Sequence, residues 1–190
     1  MNENGMIDQG CKNCGAHELR KKQKLCENCY SNNVINFLEI DRQKIEFHPE
    51  INEITDKIYL GNYDGQRERK VLNDLGITNV LVCGNFFQKF YPNDFIYYVV
   101  EIDDNSDQNI IDFFEETYLY IERSYKVFVH CGSGVSRAPS FVIAYLMKKN
   151  NWNFDTTFNF VEKKRQVINP NSSFVSQLKL YESKIFSNKF

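Results

Sequence analysis

The sequence predicts an α/β fold in which a central, mostly parallel sheet is flanked by helices. The length of 190 residues suits one ordinary domain with a short extension. The composition, 42% hydrophobic, 15% aromatic and 25% charged, is typical of a compact soluble protein. Strand-like and helix-like segments alternate along most of the chain, and this alternation favours parallel strands joined by helices.

The predicted strands are short runs rich in β-branched and aromatic residues. They cover residues 53–60, 78–83, 95–102 and 126–130. The predicted helices lie between and after them, at residues 64–75, 110–123, 138–149, 155–166 and 172–187. The longest apolar run, Phe141 to Met147, is far shorter than the roughly 20 residues that cross a bilayer.

The net charge is −2, which provides no global field to attract nucleic acid or an anionic membrane. Neither partner is therefore expected. The first residues do not resemble a signal sequence and the last ones carry no prenylation cysteine, so a cytoplasmic or nuclear protein is expected. There, cysteines serve more often as metal ligands or reactive thiols than in disulfides.

The segment after the strand at 126–130 carries the strongest chemical signal. Cys131 and Arg137 are six positions apart, Gly132 and Gly134 permit a tight turn, and Pro139 fits the first turn of a following helix. Backbone N–H groups and the positive end of the helix converge in such a turn. The segment is therefore expected to bind an anion.

Two chemical roles follow from the positive electrostatic field of these N–H groups and of the helix end. It would favour the thiolate of Cys131, a nucleophile at neutral pH, and the planar guanidinium of Arg137 would bind two phosphoryl oxygens. The pairing predicts phosphoryl transfer to sulfur. Residues expected to bind phosphate through their backbone amides are Gly132, Ser133, Gly134, Val135, Ser136 and Arg137.

A departing alkoxide or phenoxide needs a proton, so an acid is expected on a mobile loop across the cleft. Asp103, Asp104 and Asp107 follow the strand predicted at 95–102. At least two of the three are expected to be ordinary solvated loop carboxylates. His130, at the end of a buried strand, is expected to hold the loop by hydrogen bonds and favour the thiolate.

Residues 53 to 187 resemble a dual-specificity phosphatase of the cysteine-based protein tyrosine phosphatase superfamily. The matching stretches are ITDKIYLGN, LGITNVL, IDDN, VFVHCGSGVSRAPS, AYLM and VEKKRQVINPNSSFVSQLKLYE. The resemblance implies a twisted sheet and a two-step reaction through a cysteinyl-phosphate that needs no metal. It also implies Asp104 as general acid and then base, and Asn171 as a support of the Cys131 loop. A plain helix N-terminal turn is the alternative for Asn171.

One position departs from this family. A serine or threonine usually follows the arginine and donates to the cysteine sulfur, whereas this chain has Ala138, so breakdown of the intermediate is expected to be slow unless Ser133 or Ser136 substitutes. The run Arg-Ala-Pro also resembles the regenerating-liver phosphatases. That resemblance implies a reversible disulfide between Cys83 and Cys131, and a buried core role is the alternative for Cys83.

Four cysteines near the start of the chain predict a metal site. Cys11, Cys14, Cys26 and Cys29 form two CxxC pairs with eleven residues between them, a spacing that closes a tetrahedral zinc site. The surrounding segment is too polar to fold without such a ligand. Its resemblance to A20-type zinc fingers implies a ubiquitin-like protein partner. A zinc module that only extends the main domain, disulfides, or free thiols are the alternatives.

Together these features predict three parts: a zinc-finger module at 1–32, a linker or packing helix at 33–50, and a dual-specificity phosphatase catalytic domain at 51–190. The predicted activity of this monomer is hydrolysis of phosphotyrosine, with phosphoserine and phosphothreonine, in phosphorylated proteins. The alternatives are a weakly active or inactive phosphoprotein-binding module and a zinc-finger adaptor. Structural Zn²⁺ is the only cofactor expected, with none for catalysis.

Overall fold

The computed structural model describes residues 51–187, and all structural statements concern that part of the chain. Its single sheet has the strand order β1-β2-β5-β3-β4. The strands are β1 (Ile51–Glu53), β2 (Ile58–Gly61), β3 (Asn79–Cys83), β4 (Ile96–Val100) and β5 (Val127–His130). β1 pairs antiparallel with β2, and the other neighbours pair in parallel. The α/β class with a mostly parallel sheet is therefore confirmed, with one antiparallel strand at its edge.

Five α-helices accompany the sheet in the described part of the chain. They are α1 (Arg69–Asp74), α2 (Phe114–Arg123), α3 (Arg137–Asn150), α4 (Phe154–Lys164) and α5 (Ser172–Ser187). Short 3₁₀ turns precede the first two, at Asp64–Arg67 and Ile111–Phe113. No helix within residues 51–187 has the length and apolar character that spanning a membrane requires.

The single strand predicted at 53–60 is wrong, because the segment forms the β1–β2 hairpin. Thr55 Oγ1 accepts hydrogen bonds from the backbone N–H of Lys57 and Ile58, at 3.3 and 3.0 Å. A side-chain oxygen used in this way stabilises a turn and ends the strand. The helix predicted at 64–75 is likewise broken at Glu68, whose ψ of 62° is not helical.

The core lies on both faces of the sheet. On one face, the fully buried rings of Phe114, Phe141 and Phe174 come from α2, α3 and α5. The other face is covered around Leu72 and Phe128 by α1 and the β3–β4 connection. Every residue of α3 from Ala138 to Met147 is buried, since this helix lies between the sheet and the other helices.

This topology gathers three connections at one edge of the sheet. β3, β4 and β5 are parallel, so their carboxyl ends at Cys83, Val100 and His130 lie side by side. Ligand sites in open α/β sheets lie outside the carboxyl ends of the strands. The chain passes from β5 into α3 through residues 131–136, and this loop is the centre of the candidate site.

Candidate active site

Arg165 holds the β5–α3 loop from outside. The residue is only 3% exposed. Its Nη2 donates to Ser133 O at 3.1 Å, its Nε donates to Gly134 O at 2.9 Å, and its Nη1 donates to Asn52 Oδ1 at 2.6 Å. Burial lowers the pKa of Arg165, and the nearby Cys131 sulfur opposes that effect. One buried guanidinium thus ties the loop to the segment after α4 and to β1.

The neighbouring carbonyl groups of the loop are occupied as well. Gly132 O accepts a hydrogen bond from Tyr63 N at 2.9 Å, and Val135 O accepts one from Asn169 N at 2.7 Å. Ser136 O accepts from Ser140 N and Oγ at 3.2 and 2.9 Å. These partners hold the carbonyls from outside the loop, and one loop N–H group is directed at the Cys131 sulfur. Gly134 N donates to Cys131 Sγ at 3.3 Å. The arrangement has the form of an anion-binding nest of backbone amides.

Two glycines make this geometry possible. Gly134 has φ +68°, and a Cβ on it would lie 2.4 Å from Gly61 O, so no other residue fits there. Gly84, directly after β3, lies against the guanidinium of Arg137. A Cβ at Gly84 would lie 2.5 Å from Arg137 Nη1 and from the Phe87 ring. The sequence analysis singled out Gly134 and missed Gly84.

Cys131 and Arg137 lie at the two ends of the loop, as their spacing predicts. Cys131 is a free thiol and only 1% exposed. The side chain of Arg137 is 17% exposed and starts from the first residue of α3. Its guanidinium carbon lies 5.7 Å from the centre of the Phe87 ring, and its Nη1 donates a long hydrogen bond to Ile102 O at 3.5 Å. These contacts hold the arginine fork over the loop.

Asp104 is the acidic residue that the structure brings to the loop. Its Oδ1 accepts hydrogen bonds from Ser136 Oγ at 2.7 Å and from Asn171 Nδ2 at 2.9 Å. Its Oδ2 lies 3.6 Å from Arg137 Nε. Asn171 also caps α5, because its Oδ1 accepts from Phe174 N at 2.9 Å. The side chain of Asn171 thus contacts Asp104 and caps α5 at the same time.

The other two aspartates have different surroundings. Asp103 Oδ1 accepts a hydrogen bond from Asn85 Nδ2 at 2.9 Å, which joins the acid loop to the β3–β4 connection. Asp107 is exposed, and its carboxylate accepts only from Ser106 Oγ at 3.3 Å among the described hydrogen bonds. Gln177 of α5 anchors the far end of the acid loop, because its Nε2 donates to Gln108 O at 2.8 Å.

His130 is a neutral, structural residue in this site. It is fully buried, and burial lowers its pKa to about 4. Its ring stacks on Phe128 with centroids 5.5 Å apart. Nδ1 lies 3.3 Å from Cys131 O, and because a carbonyl only accepts, Nδ1 carries the hydrogen. His130 thus holds the Cys131 backbone but carries no charge at neutral pH to favour the thiolate.

Aromatic side chains that sequence reasoning missed form one wall beside the loop. Tyr63 follows β2, and its ring lies 5.0 Å from that of Phe87 and 5.5 Å from that of Phe90. The Phe87 ring also lies 5.8 Å from His130. A signal was present in the sequence, since the aromatic run after Gly84 follows a predicted strand at its carboxyl end.

Cys83 lies next to Cys131 across the sheet. The last register pair of β3 and β5 is Val82 with His130, so the following residues of the two strands are Cys83 and Cys131. Both cysteines are buried in the same core cluster and both are free. Burial raises the pKa of Cys83 well above its ordinary value, and the neighbouring Cys131 adds to that effect.

The predicted zinc ligands Cys11, Cys14, Cys26 and Cys29 lie outside the described residues. Within residues 51–187, no group of three or more histidine, cysteine or acidic side chains is arranged to hold a metal ion.

A buried cysteine at the end of the central strand, a nest of amides and an arginine opening the next helix define a cysteine-dependent phosphate site. Residues 58–184 match the family model described as the catalytic domain of dual specificity phosphatases. The chain belongs to the dual specificity phosphatase family.

Relatives of this chain include proteins of different length. Dual specificity protein phosphatase 1B of Arabidopsis thaliana is 33% identical over 155 residues, which are 79% of this chain and 93% of that protein. MAP kinase phosphatase with leucine-rich repeats protein 3 of Dictyostelium discoideum is 39% identical over 141 residues, 71% of this chain but 16% of that protein. This chain therefore spans only a small part of the longer relative.

A solved structure supports both the fold and the family. The human tyrosine phosphatase-like serine/threonine/tyrosine-interacting protein superposes with a TM-score of 0.70 at 36% identity. The match covers 73% of this chain and 99% of that one.

Proposed function

We propose that this chain removes phosphate from phosphoproteins, above all from phosphotyrosine, through a cysteinyl-phosphate at Cys131. The observation that carries the proposal is that the carbonyls of residues 132–136 are bonded to groups outside the loop while the Gly134 amide donates to Cys131 Sγ. A phosphoryl group bound there would receive hydrogen bonds from the amides and from the fork of Arg137.

In the first step, the Cys131 thiolate attacks phosphorus, an S–P bond forms and the P–O bond to the substrate breaks. The departing oxygen takes the proton of Asp104. Oδ1 of Asp104 is occupied by Ser136 and Asn171, so Oδ2 is the oxygen that carries this proton. Arg137 and the amides stabilise the charge on the transferring oxygens.

In the second step, water attacks phosphorus and Asp104 accepts its proton as general base. The S–P bond breaks, inorganic phosphate leaves and the Cys131 thiolate is restored. The same Oδ2 serves both steps, since its loop position is held by two hydrogen bonds to its other oxygen. The two proposed steps balance without a redox partner or a metal.

The preference for phosphotyrosine is supported by the aromatic wall. Tyr63 N bonds to the loop at Gly132 O, and the Phe87 ring lies beside Arg137. An aryl phosphate seated in the nest would have these rings beside its own, and aromatic pairs gain about 0.5–1.5 kcal/mol beyond simple burial. Phosphoserine and phosphothreonine lack this contact and are proposed as weaker substrates.

A second candidate is a module that captures phosphate from phosphoproteins and releases it slowly. Ala138 is fully buried and offers no hydroxyl to the sulfur. Ser136 Oγ donates to Asp104 and accepts from Asn171 N at 3.1 Å, so it does not substitute. Ser133 is exposed. Slow breakdown of the cysteinyl-phosphate is the property that would turn the enzyme into such a module.

Hydrolysis of a small aryl phosphate from about pH 5 to about pH 8 tests the proposal. The variants are Cys131→Ser and, as a matched control in the same core cluster, Cys83→Ser. Sustained turnover that only Cys131→Ser abolishes supports the enzyme. A stoichiometric burst followed by stalling supports the capture module. Turnover that survives Cys131→Ser excludes both.

The N-terminal part requires a separate proposal, in which Cys11, Cys14, Cys26 and Cys29 bind one structural Zn²⁺. Four thiolates in two CxxC pairs are a donor set that zinc prefers. One equivalent of zinc in the purified full chain, lost in Cys11→Ser with the aryl phosphatase activity kept, supports this role. Binding of ubiquitin to the wild type but not to Cys11→Ser would support a recognition role for the module.

A further inference from the structure

Phe86 has an unusual place and backbone conformation. Its relative exposure is 103%, the highest among the large apolar side chains of the described chain. Its φ is +61°, a left-handed conformation that costs free energy for a residue with a bulky side chain. Packing of the ring against the domain does not compensate for the cost of this backbone conformation, because the ring is in solvent.

The two neighbours of Phe86 are both held by the candidate site. Asn85 Nδ2 donates to Asp103 Oδ1 at 2.9 Å, on the acid loop. Phe87 packs its ring against Tyr63, against His130 and under the guanidinium of Arg137. The anchored neighbours therefore fix the position from which the Phe86 ring extends into solvent.

Phe86 also stands close to the reacting groups. Gly84 lies against Arg137 Nη1, and two residues of chain span at most about 7 Å. The Asn85–Asp103 hydrogen bond brings the same segment to the acid loop, one residue from Asp104. The backbone of Phe86 thus lies near the rim of the cleft, next to Phe87 of the aromatic wall, and its ring is exposed to solvent.

We propose that Phe86 contacts an apolar side chain that adjoins the phosphorylated residue of the substrate. This inference rests on the proposed function and names its substrate class: phosphotyrosine peptides with a leucine-like residue beside the phosphotyrosine. The phenyl ring offers apolar surface that is removed from water only when such a peptide binds. The Asp103 carboxylate next to Asn85 disfavours an acidic residue at the same place.

The test compares kcat/KM of the full chain for phosphotyrosine peptides that carry either leucine or aspartate on both sides of the phosphotyrosine. Phe86→Asn removes the ring and tolerates a positive φ, so the backbone is preserved. Tyr125→Asn is the matched control, because Tyr125 is an aromatic residue 76% exposed and lies before β5, at the opposite end of that strand from Cys131. A small aryl phosphate, which has no flanking residues, is the reference substrate.

The wild type is expected to prefer the leucine peptide about tenfold, and Phe86→Asn to reduce that preference to about twofold or less. Its hydrolysis of the small aryl phosphate stays within about twofold of the wild type, and Tyr125→Asn changes neither quantity. An unchanged peptide preference in Phe86→Asn overturns the inference. Failure of the wild type to hydrolyse even the aryl phosphate would overturn the proposed function instead, so the two failures are distinguished.

Discussion

Ser136 Oγ donates a 2.7 Å hydrogen bond to Asp104 Oδ1 and thereby joins the phosphate-binding loop directly to the acid loop. The same hydroxyl accepts a hydrogen bond from Asn171 N at 3.1 Å, so three segments of the chain meet at one oxygen. The acid was expected on a mobile loop. In the structure two hydrogen bonds to Oδ1 hold Asp104 beside the phosphate-binding loop, and a held acid reduces the ordering cost of the reaction.

Asn171→Asp separates the support of Asp104 from the capping of α5. The new carboxylate still accepts from Phe174 N, but it repels the Asp104 carboxylate where the amide donated to it. We expect kcat/KM, which reports formation of the cysteinyl-phosphate, to fall about tenfold for phenyl phosphate, whose leaving group needs a proton, and much less for p-nitrophenyl phosphate. Steady-state kinetics with both substrates measures this, and equal losses on the two would contradict the role of Asn171.

Gly84→Ala is expected to displace Arg137. The added Cβ would lie 2.5 Å from Arg137 Nη1, so the guanidinium must move away from the phosphate position. We expect the affinity for vanadate to fall about tenfold or more, measured by inhibition or calorimetry. Gly76→Ala is the control, because that glycine also has a positive φ but its Cβ would meet nothing closer than 3.8 Å. Equal losses in both variants would indicate backbone strain alone.

Ala138→Ser should speed breakdown of the cysteinyl-phosphate. A hydroxyl at this position, the second residue of α3, would donate to the departing sulfur and raise steady-state turnover about five- to tenfold. Rapid-mixing kinetics of aryl phosphate hydrolysis would show the initial burst shrinking. Ala144→Ser, which introduces the same hydroxyl at a buried position further along α3, should leave the burst unchanged.

The stability of the domain should depend on His130 at mildly acidic pH. Burial lowers the pKa of His130 from about 6.5 to about 4, so in this window the unfolded chain binds a proton that the folded chain does not. The free energy of unfolding therefore decreases as the pH falls from about 6.5 to about 4, by at most about 3 kcal/mol from this group. Above that window its contribution is constant.

His130→Gln keeps a donor for Cys131 O and removes the titration. Urea unfolding at several pH values should give a weaker pH dependence in this variant than in the wild type. Identical slopes would show that the pKa of His130 is the same in the folded and the unfolded chain.

Mild peroxide should link Cys83 to Cys131. Neighbouring parallel strands are about 4.8 Å apart, a Cα separation that a disulfide spans. Peroxide converts the Cys131 thiolate to a sulfenic acid, and the Cys83 thiol displaces water from it to form the S–S bond. Peptide mapping by mass spectrometry detects the linked peptides, and reductant should restore activity. Irreversible oxidation of Cys131 without a link would leave Cys83 as a core residue.

Much of the sheet could be predicted because its central strands are buried on both faces. The runs at residues 127–129 and 80–83 within these strands are apolar throughout, as parallel strands covered by helices are. The hairpin at β1 and β2 was missed because it depends on Thr55, whose side chain turns the backbone in the middle of a strand-like pattern. Local propensity alone does not reveal such a hydrogen bond.

The candidate site also has a part that could be predicted from sequence and a part that could not. Cys131 and Arg137 could be recognised because the loop between them is continuous in sequence and its glycines indicate a tight turn. Arg165 and Tyr63 hold that loop from distant parts of the chain, through contacts that exist only once β2 and the segment after α4 are packed. No spacing rule connects them to Cys131, so the sequence could not show their role.

Because the loop carbonyls are anchored by distant segments, the reactivity of Cys131 depends on completion of the fold. Tyr63, Asn169 and Arg165 reach the loop from both sides of it in sequence, so a nascent or truncated chain lacking any of these segments exposes the thiol without its ring of amides. Reactivity of Cys131 toward an anionic alkylating reagent would then report the fraction of molecules that have finished folding. Cys131 therefore depends for its reactivity on contacts with distant segments of the chain, and the sequence of the loop alone is not enough.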